Sequence, residues 1–162
     1  MMVLSMVPAT AFAAKDAGTP PTYNSATGCY EISTPAQLLY LAGKWKDGAP
    51  RDGHYVLTAD IDMTGVKGFK PIASKKAEGF TGTFDGQFHS IKGLRIEYEK
   101  KYAGLFGYVG NQDDQAYIKN VALLDCYVTG QQNVGALAGV NYGTITDCVV
   151  TGEVKCLDLS NS

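Results

Sequence analysis

The chain has 162 residues and a formal net charge of -2, which is enough length for one domain with a real apolar core. Its basic residues form no stripe: Lys75-Lys76 and Lys100-Lys101 are isolated pairs, so a phosphate-tracking nucleic-acid surface is not expected. Nineteen Gly and ten Tyr against a single Trp fit a turn-rich β protein, since Gly serves tight corners and Tyr suits half-buried strands.

Residues 1–13, MMVLSMVPATAFA, carry the apolar run and the small-x-small ending (Ala11-Phe12-Ala13) of a truncated secretory signal peptide, although no basic residue precedes the run. Export predicts an extracellular location, secreted or attached to the cell surface, and an oxidising compartment. No later apolar run reaches transmembrane length, so membrane insertion of the mature chain is not expected. Residues 14–32 read as a linker and first strand, with Pro20-Pro21 marking the exposed part. Helical patterning is confined to 33–50. Thr34-Pro35-Ala36-Gln37 is a capping box with Pro at the first helical position, and Leu38, Leu41, Ala42 and Trp45 follow at helical spacing. One amphipathic helix over 34–46 is suited to covering the open end of a repeat array.

From residue 51 to 162 the pattern is that of strands. His54 to Met63 alternates, Phe80-Thr81-Gly82-Thr83-Phe84 alternates around a Gly, and Asp85-Gly86 turns the chain. A motif then occurs three times. Ile91-Lys92-Gly93-Leu94-Arg95-Ile96, Ile118-Lys119-Asn120-Val121-Ala122-Leu123 and Ile145-Thr146-Asp147-Cys148-Val149-Val150 are spaced by 27 and predict one ladder of stacked strands. The intervening Tyr102 to Tyr108 and Val134 to Val140 are short apolar strands sharing a column at Gly107 and Gly139. Of the four cysteines, Cys148 takes the column of Leu94 and Val121 in the register of 27 and reads as a small core residue. A Cys126–Cys148 bridge between stacked turns stays open as the alternative. No CxxC spacing suggests a metal or redox site.

Gly104-Leu105-Phe106-Gly107, with Leu57-Thr58-Ala59-Asp60-Ile61-Asp62, Gly82-Thr83-Phe84-Asp85-Gly86 and Ile118-Lys119-Asn120, resembles the GLUG-repeat (Gly-Leu-x-Gly) proteins of bacterial exteriors, from about Ile32 to Val154. The second copy, Ala136-Leu137-Ala138-Gly139, lacks the first Gly, and Phe88 stands where a Gly before His is usual. The resemblance implies a β-helical stem with further repeats downstream.

β-Helices also carry polysaccharide-cleaving enzymes, whose catalytic acids, bases or calcium-binding carboxylates project from one strand face. Asp60 and Asp62, two apart on a strand, are the best carboxylate pair for acid/base or hard-cation work, but a solvated outer face explains them more simply. Asp85 is a turn residue first, and Asp113-Asp114 diverge in a polar loop. His54 and His89 have no nucleophile in place, since Ser90 directly after His89 points to the opposite strand face. Arg51 and Arg95 leave little to clamp an anionic sugar. Tyr98, Tyr102, Tyr108, Tyr117, Tyr127 and Tyr142 fill core and corners or, if several share an exposed face, form a sugar-stacking surface. The expectation is therefore an all-β, right-handed parallel β-helix with an N-terminal amphipathic capping helix. It serves as a non-catalytic structural stem or adhesion module of an exported bacterial surface protein, with no metal, cofactor or catalytic residue and with a surface glycan or protein as partner. The alternatives are the N-terminal part of a β-helical carbohydrate-active enzyme and an autonomous glycan-binding module.

Overall fold

The computed structural model describes residues 18–43 and 49–157. The signal-like segment 1–13, Trp45 and residues 158–162 lie outside them. Strands β1 (Thr22–Asn24) and β2 (Cys29–Ile32) form an antiparallel hairpin, so the expected linker ends in an edge strand. Helix α1 (Pro35–Gly43) follows. The Thr34 hydroxyl accepts from the Gln37 amide at 3.3 Å, as a capping box requires. The return bond differs from the expected one: Gln37 Oε1 accepts from the Ser33 amide at 2.8 Å. Gln37 Nε2 donates to Thr22 Oγ1 at 3.4 Å, so the buried Gln37 side chain ties the hairpin to the helix. Leu38, Leu41 and Ala42 enter the core.

The remaining strands wind into a parallel β-solenoid. They are β3 (His54–Leu57), β4 (Ile61–Asp62), β5 (Thr83–Asp85), β6 (Ser90–Lys92), β7 (Arg95–Ala103), β8 (Phe106–Val109), β9 (Tyr117–Lys119), β10 (Ala122–Val134), β11 (Ala138–Asn141), β12 (Thr144–Thr146) and β13 (Val149–Cys156). One sheet runs β1-β2-β3-β5-β9-β12, a second β13-β10-β6-β4 with β7 also on β10, and a third β11-β8. From β2 onwards every pairing is parallel. The predicted strand over 54–63 is two strands, because Thr58 to Asp60 turn the chain from the first sheet into the second.

The ladder positions correct the predicted register. Ile118 pairs with Ile145, as the spacing of 27 requires. Its partner in the preceding coil is Phe84, at a spacing of 34. Ile91 lies in the other sheet, between Ile61 and Leu123. The column Leu94, Val121, Cys148 divides likewise. The Val149 amide donates to the Val121 carbonyl, which sets Cys148 over Val121, whereas the Tyr127 amide donates to the Leu94 carbonyl, which sets Cys126 over Leu94. Coil length varies from 25 residues (Tyr30 to Tyr55) to 34 (Phe84 to Ile118), and the lengthened coil carries the polar loop after Gly110, since loops accept insertions at little cost.

The Gly107–Gly139 column forms as expected, within the β8–β11 pair. Its composition has a steric cause: a Cβ on Gly107 would lie 2.7 Å from Ser74 Cα, and one on Gly139 2.8 Å from Tyr102 Cα. The corner between the first and second sheets is made by Phe88, Asn120 and Asp147 in left-handed conformation, with φ of 64°, 56° and 52°. Asn and Asp tolerate that region, whereas Phe is strained there. Inside, Ile61, Ile91 and Leu123 form one sealed column and Ile96 and Val128 another. An aromatic run from Tyr23 through Tyr30, Tyr55, Phe80 and Phe106 to Phe84 links the hairpin to the core, with ring centroids 5.0 to 6.1 Å apart.

Candidate functional site

Asp60 and Asp62 do not act as a pair. Asp62 Oδ1 accepts from the Thr64 amide at 2.9 Å and closes its own turn. Asp60 Oδ1 accepts from the Ser90 amide at 2.7 Å and the Ser90 hydroxyl at 3.1 Å, and His89 Nδ1 lies 3.5 Å away. The expectation that His89 and Ser90 point apart is therefore corrected, because His89 sits in the turn before β6 and both residues reach one carboxylate oxygen. The arrangement is not a nucleophile–base relay: the Ser hydroxyl donates to the carboxylate, so it is not set against the imidazole as an activated nucleophile requires. The Ser90 bonds, with His89 beside them, hold the Asp60 carboxyl below the usual range. An exposed carboxylate held ionised is a poor general acid. It does bind one coil to the next.

Asp85 performs the same service one coil on. Its Oδ1 accepts from the Gln87 amide and from Asn120 Nδ2, each at 2.9 Å, and Lys119 Nζ lies 3.2 Å from Oδ2. Partial burial pushes this carboxyl up, but the Asn120, Gln87 and Lys119 contacts outweigh it and leave the group below the usual range. Asp113 and Asp114 stand in a loop closed by Asn111, whose Oδ1 accepts from both of their amides. Among the described residues no group of three or more His, Cys, Asp or Glu is placed to hold a metal ion.

The six tyrosines are divided among the faces. Tyr117 lies exposed on the first sheet, with its hydroxyl 3.3 Å from Gln115 Oε1. Tyr127 lies on the second, sandwiched between the Arg95 guanidinium at 4.2 Å and the Lys155 ammonium at 5.5 Å. Tyr108 is buried, contacting Tyr102 at 5.5 Å and the half-exposed Tyr142 at 5.7 Å. Tyr98 packs against the core from its margin. Among the described residues the six tyrosines do not share one face, and among these six Tyr102, Tyr108 and Tyr142 form the one group of three in ring contact. His54 and Arg51 lie near the first coil, with Arg51 Nη1 donating to the Ala77 carbonyl at 3.4 Å. The cysteines are free, Cys126 buried, Cys29 and Cys148 half-buried and Cys156 exposed.

Sequence reasoning missed two features. Phe88 is the most exposed large apolar side chain among the described residues, at 81 %, and it occupies a left-handed backbone position. Its departure from Gly was the one available signal. The Arg95–Tyr127–Lys155 stack depends on parallel registers that single-chain spacing does not reveal.

Residues 130–155, spanning β11, β12 and nearly all of β13, match the family model described as the GLUG motif. The matched coil is the one with Ala136 in place of the first Gly. Over 135 residues, 77 % of the chain, it is 35 % identical to halomucin of Haloquadratum walsbyi. Over 130 residues, 75 % of the chain, it is 35 % identical to a protein of Evansella cellulosilytica named as a Gly-rich membrane protein. The chain spans only 1 % and 14 % of the lengths of these two relatives. Among solved structures, a Bacteroides ovatus protein named as an immunoglobulin A1 protease superposes on 86 % of the chain and 40 % of its own length, with a TM-score of 0.63 at 22 % identity. That likeness is one of fold. No helix of the described residues is long and apolar enough to cross a membrane.

Proposed function

We propose that the chain is a non-catalytic stem segment of an exported, surface-located protein, holding other parts of that protein away from the cell. Its marked polar groups are spent on holding coils together: Asp60 on Ser90, Asp85 on Asn120, and the Asp125 amide on Thr151 Oγ1 at 2.9 Å. That use of side chains carries the reading, because a catalytic cleft needs carboxylates left free to converge on a substrate. The GLUG match, the two long relatives and the solenoid neighbour support a surface or structural module. An adhesive role toward a glycan or protein is the finer reading. The spread of tyrosines over three faces favours a protein contact over a sugar platform.

The test is made on intact producing cells. Protease shaving should release peptides of this chain while cytoplasmic markers stay intact, and confinement of the protein to the cytoplasm defeats the surface reading. The purified chain should turn over neither polysaccharide nor peptide substrates. Turnover that is saturable and lost with Asp60→Asn would instead favour the enzyme reading.

A further inference from the structure

Tyr102, Tyr108 and Tyr142 meet beside the β8–β11 pair, and none of the three belongs to the apolar core. Tyr108, on β8, is nearly covered. The Tyr102 ring stands edge-on to it at 5.5 Å and 83°, while the Tyr142 ring lies along it at 5.7 Å and 30°. Backbone closes the site from the preceding coil, since a Cβ on Gly79 would lie 3.1 Å from the Tyr108 ring. Tyr142 is equally fixed. Its amide donates to the Val109 carbonyl at 2.8 Å, and Asn141 Oδ1 accepts from the Gly143 amide at 2.9 Å across the turn. Tyr142 therefore faces back onto the coil before its own, and the contact is set by residues on both sides of it that the structure describes. Burial, and then the neighbouring Tyr142 hydroxyl, push the Tyr108 phenol up, so the two phenolic oxygens stand at the same end of the ring pair.

Two phenols held side by side with their oxygens together are placed to couple when oxidised. We propose that Tyr108 and Tyr142 are a site of oxidative modification, forming a dityrosine bond that staples one coil of the solenoid to the next. The oxidant is a haem peroxidase working on hydrogen peroxide. It takes one electron from each phenol, and each phenol gives up its hydroxyl proton. The two radicals join through ring carbons ortho to the oxygens, and the hydrogens on those carbons return to the oxygens as the rings regain aromaticity. In sum the protein loses two hydrogen atoms, and one peroxide is reduced to two waters. Half-buried Tyr102, in edge contact with Tyr108, gives the oxidant a second point of entry. Because the rings are already in contact, coupling within the chain outruns coupling between chains. The bond closes a loop of one whole coil, which restricts the unfolded chain and so favours the folded one. The use of such a staple rests on the stem reading, whereas its chemistry does not.

The test treats the dilute, purified 162-residue chain with a haem peroxidase and hydrogen peroxide, then reduces all disulfides. The product should run as a monomer, show dityrosine fluorescence and weigh two hydrogens less than the starting chain. Peptide mapping should join the Tyr108 peptide to the Tyr142 peptide, and the cross-linked chain should melt at a higher temperature. Tyr142→Phe keeps the ring and removes the phenol, and should lower the yield of linked monomer about tenfold or more. Tyr108→Phe should do the same, so the assignment does not hang on one variant. Tyr117→Phe and Tyr23→Phe should leave the yield unchanged. A linked monomer joined instead through Tyr23 and Tyr30, whose rings also touch, overturns the proposal. So does a yield indifferent to Tyr142→Phe, cross-linking only between chains, or a melting temperature unmoved by the bond. Each of these outcomes is read on the purified chain, so none of them bears on the surface location that protease shaving tests.

Discussion

Ile91 stands beside Leu123 in the parallel ladder, five positions past the isoleucine that its sequence resembles. Both are fully buried. The Ile91→Ala and Leu123→Ala variants should each lose about 2–5 kcal/mol of stability. A double-mutant cycle between them should show a coupling of about 0.5–3 kcal/mol, as for side chains in contact. Strict additivity in denaturant melts would mean that this register is wrong.

Phe88 combines a φ of 64° with a side chain 81 % exposed. The left-handed backbone costs about 1 kcal/mol or more in a residue with a bulky Cβ substituent, and exposure means that little burial offsets it. Phe88→Gly should therefore stabilise the fold and raise the melting temperature by about 2–4 °C per kcal/mol gained. A lower melting temperature would mean that the Phe88 ring makes a contact important to the fold.

Acid should loosen the corner at Asp85. Its folded carboxyl lies below the ordinary range, so as pH falls the unfolded chain takes up protons first and stability falls with it. The contribution is fully present at neutral pH. It is lost progressively from about pH 5 downward, as the unfolded and then the folded carboxyl protonates. In urea melts, Asp85→Asn should be less stable than the parent at pH 7, and the gap should narrow as the solution is acidified. A gap independent of pH would assign the loss to packing.

Gln37 accepts from Ser33 and Thr34 and donates to Thr22. Gln37→Ala leaves the Ser33 amide without that acceptor, and should cost about 1–3 kcal/mol. Hydrogen exchange should locate the damage in β1, β2 and α1 rather than in β10.

The thiols should react in order of exposure. Cys156 is open to solvent, whereas burial raises the Cys126 and Cys148 thiols above their ordinary value. A maleimide applied to the native protein should label Cys156 first and Cys126 last. A mass two units low in the unreduced protein, mapped to Cys126 and Cys148, would show the bridge that the structure lacks.

Most of the architecture was legible in the sequence because the strands are short, alternating and punctuated by Gly, Asn and Asp. The registers were only half legible. A buried apolar residue, a half-buried residue, a left-handed corner and a second buried apolar residue occur twice in one coil, as Ile118-Lys119-Asn120-Val121 and again as Leu123-Leu124-Asp125-Cys126, with φ of 56° at Asn120 and 51° at Asp125. Ile91-Lys92-Gly93-Leu94 fits either one by pattern. It belongs to the second, and only the coil length, stretched by the loop after Gly110, decides between them. The Asp60–Ser90 tie was hidden for the same reason, since its two residues lie 30 apart and meet only when the coils are stacked.

A solenoid sealed at one end by a helix and a hairpin has a direction. Unravelling from that side must first lift α1 out of the core and part Gln37 from Thr22, so the coil that begins at His54 is guarded by its cap rather than by its own short strands. The cap works as a latch, and loosening it opens the way to the coils behind it.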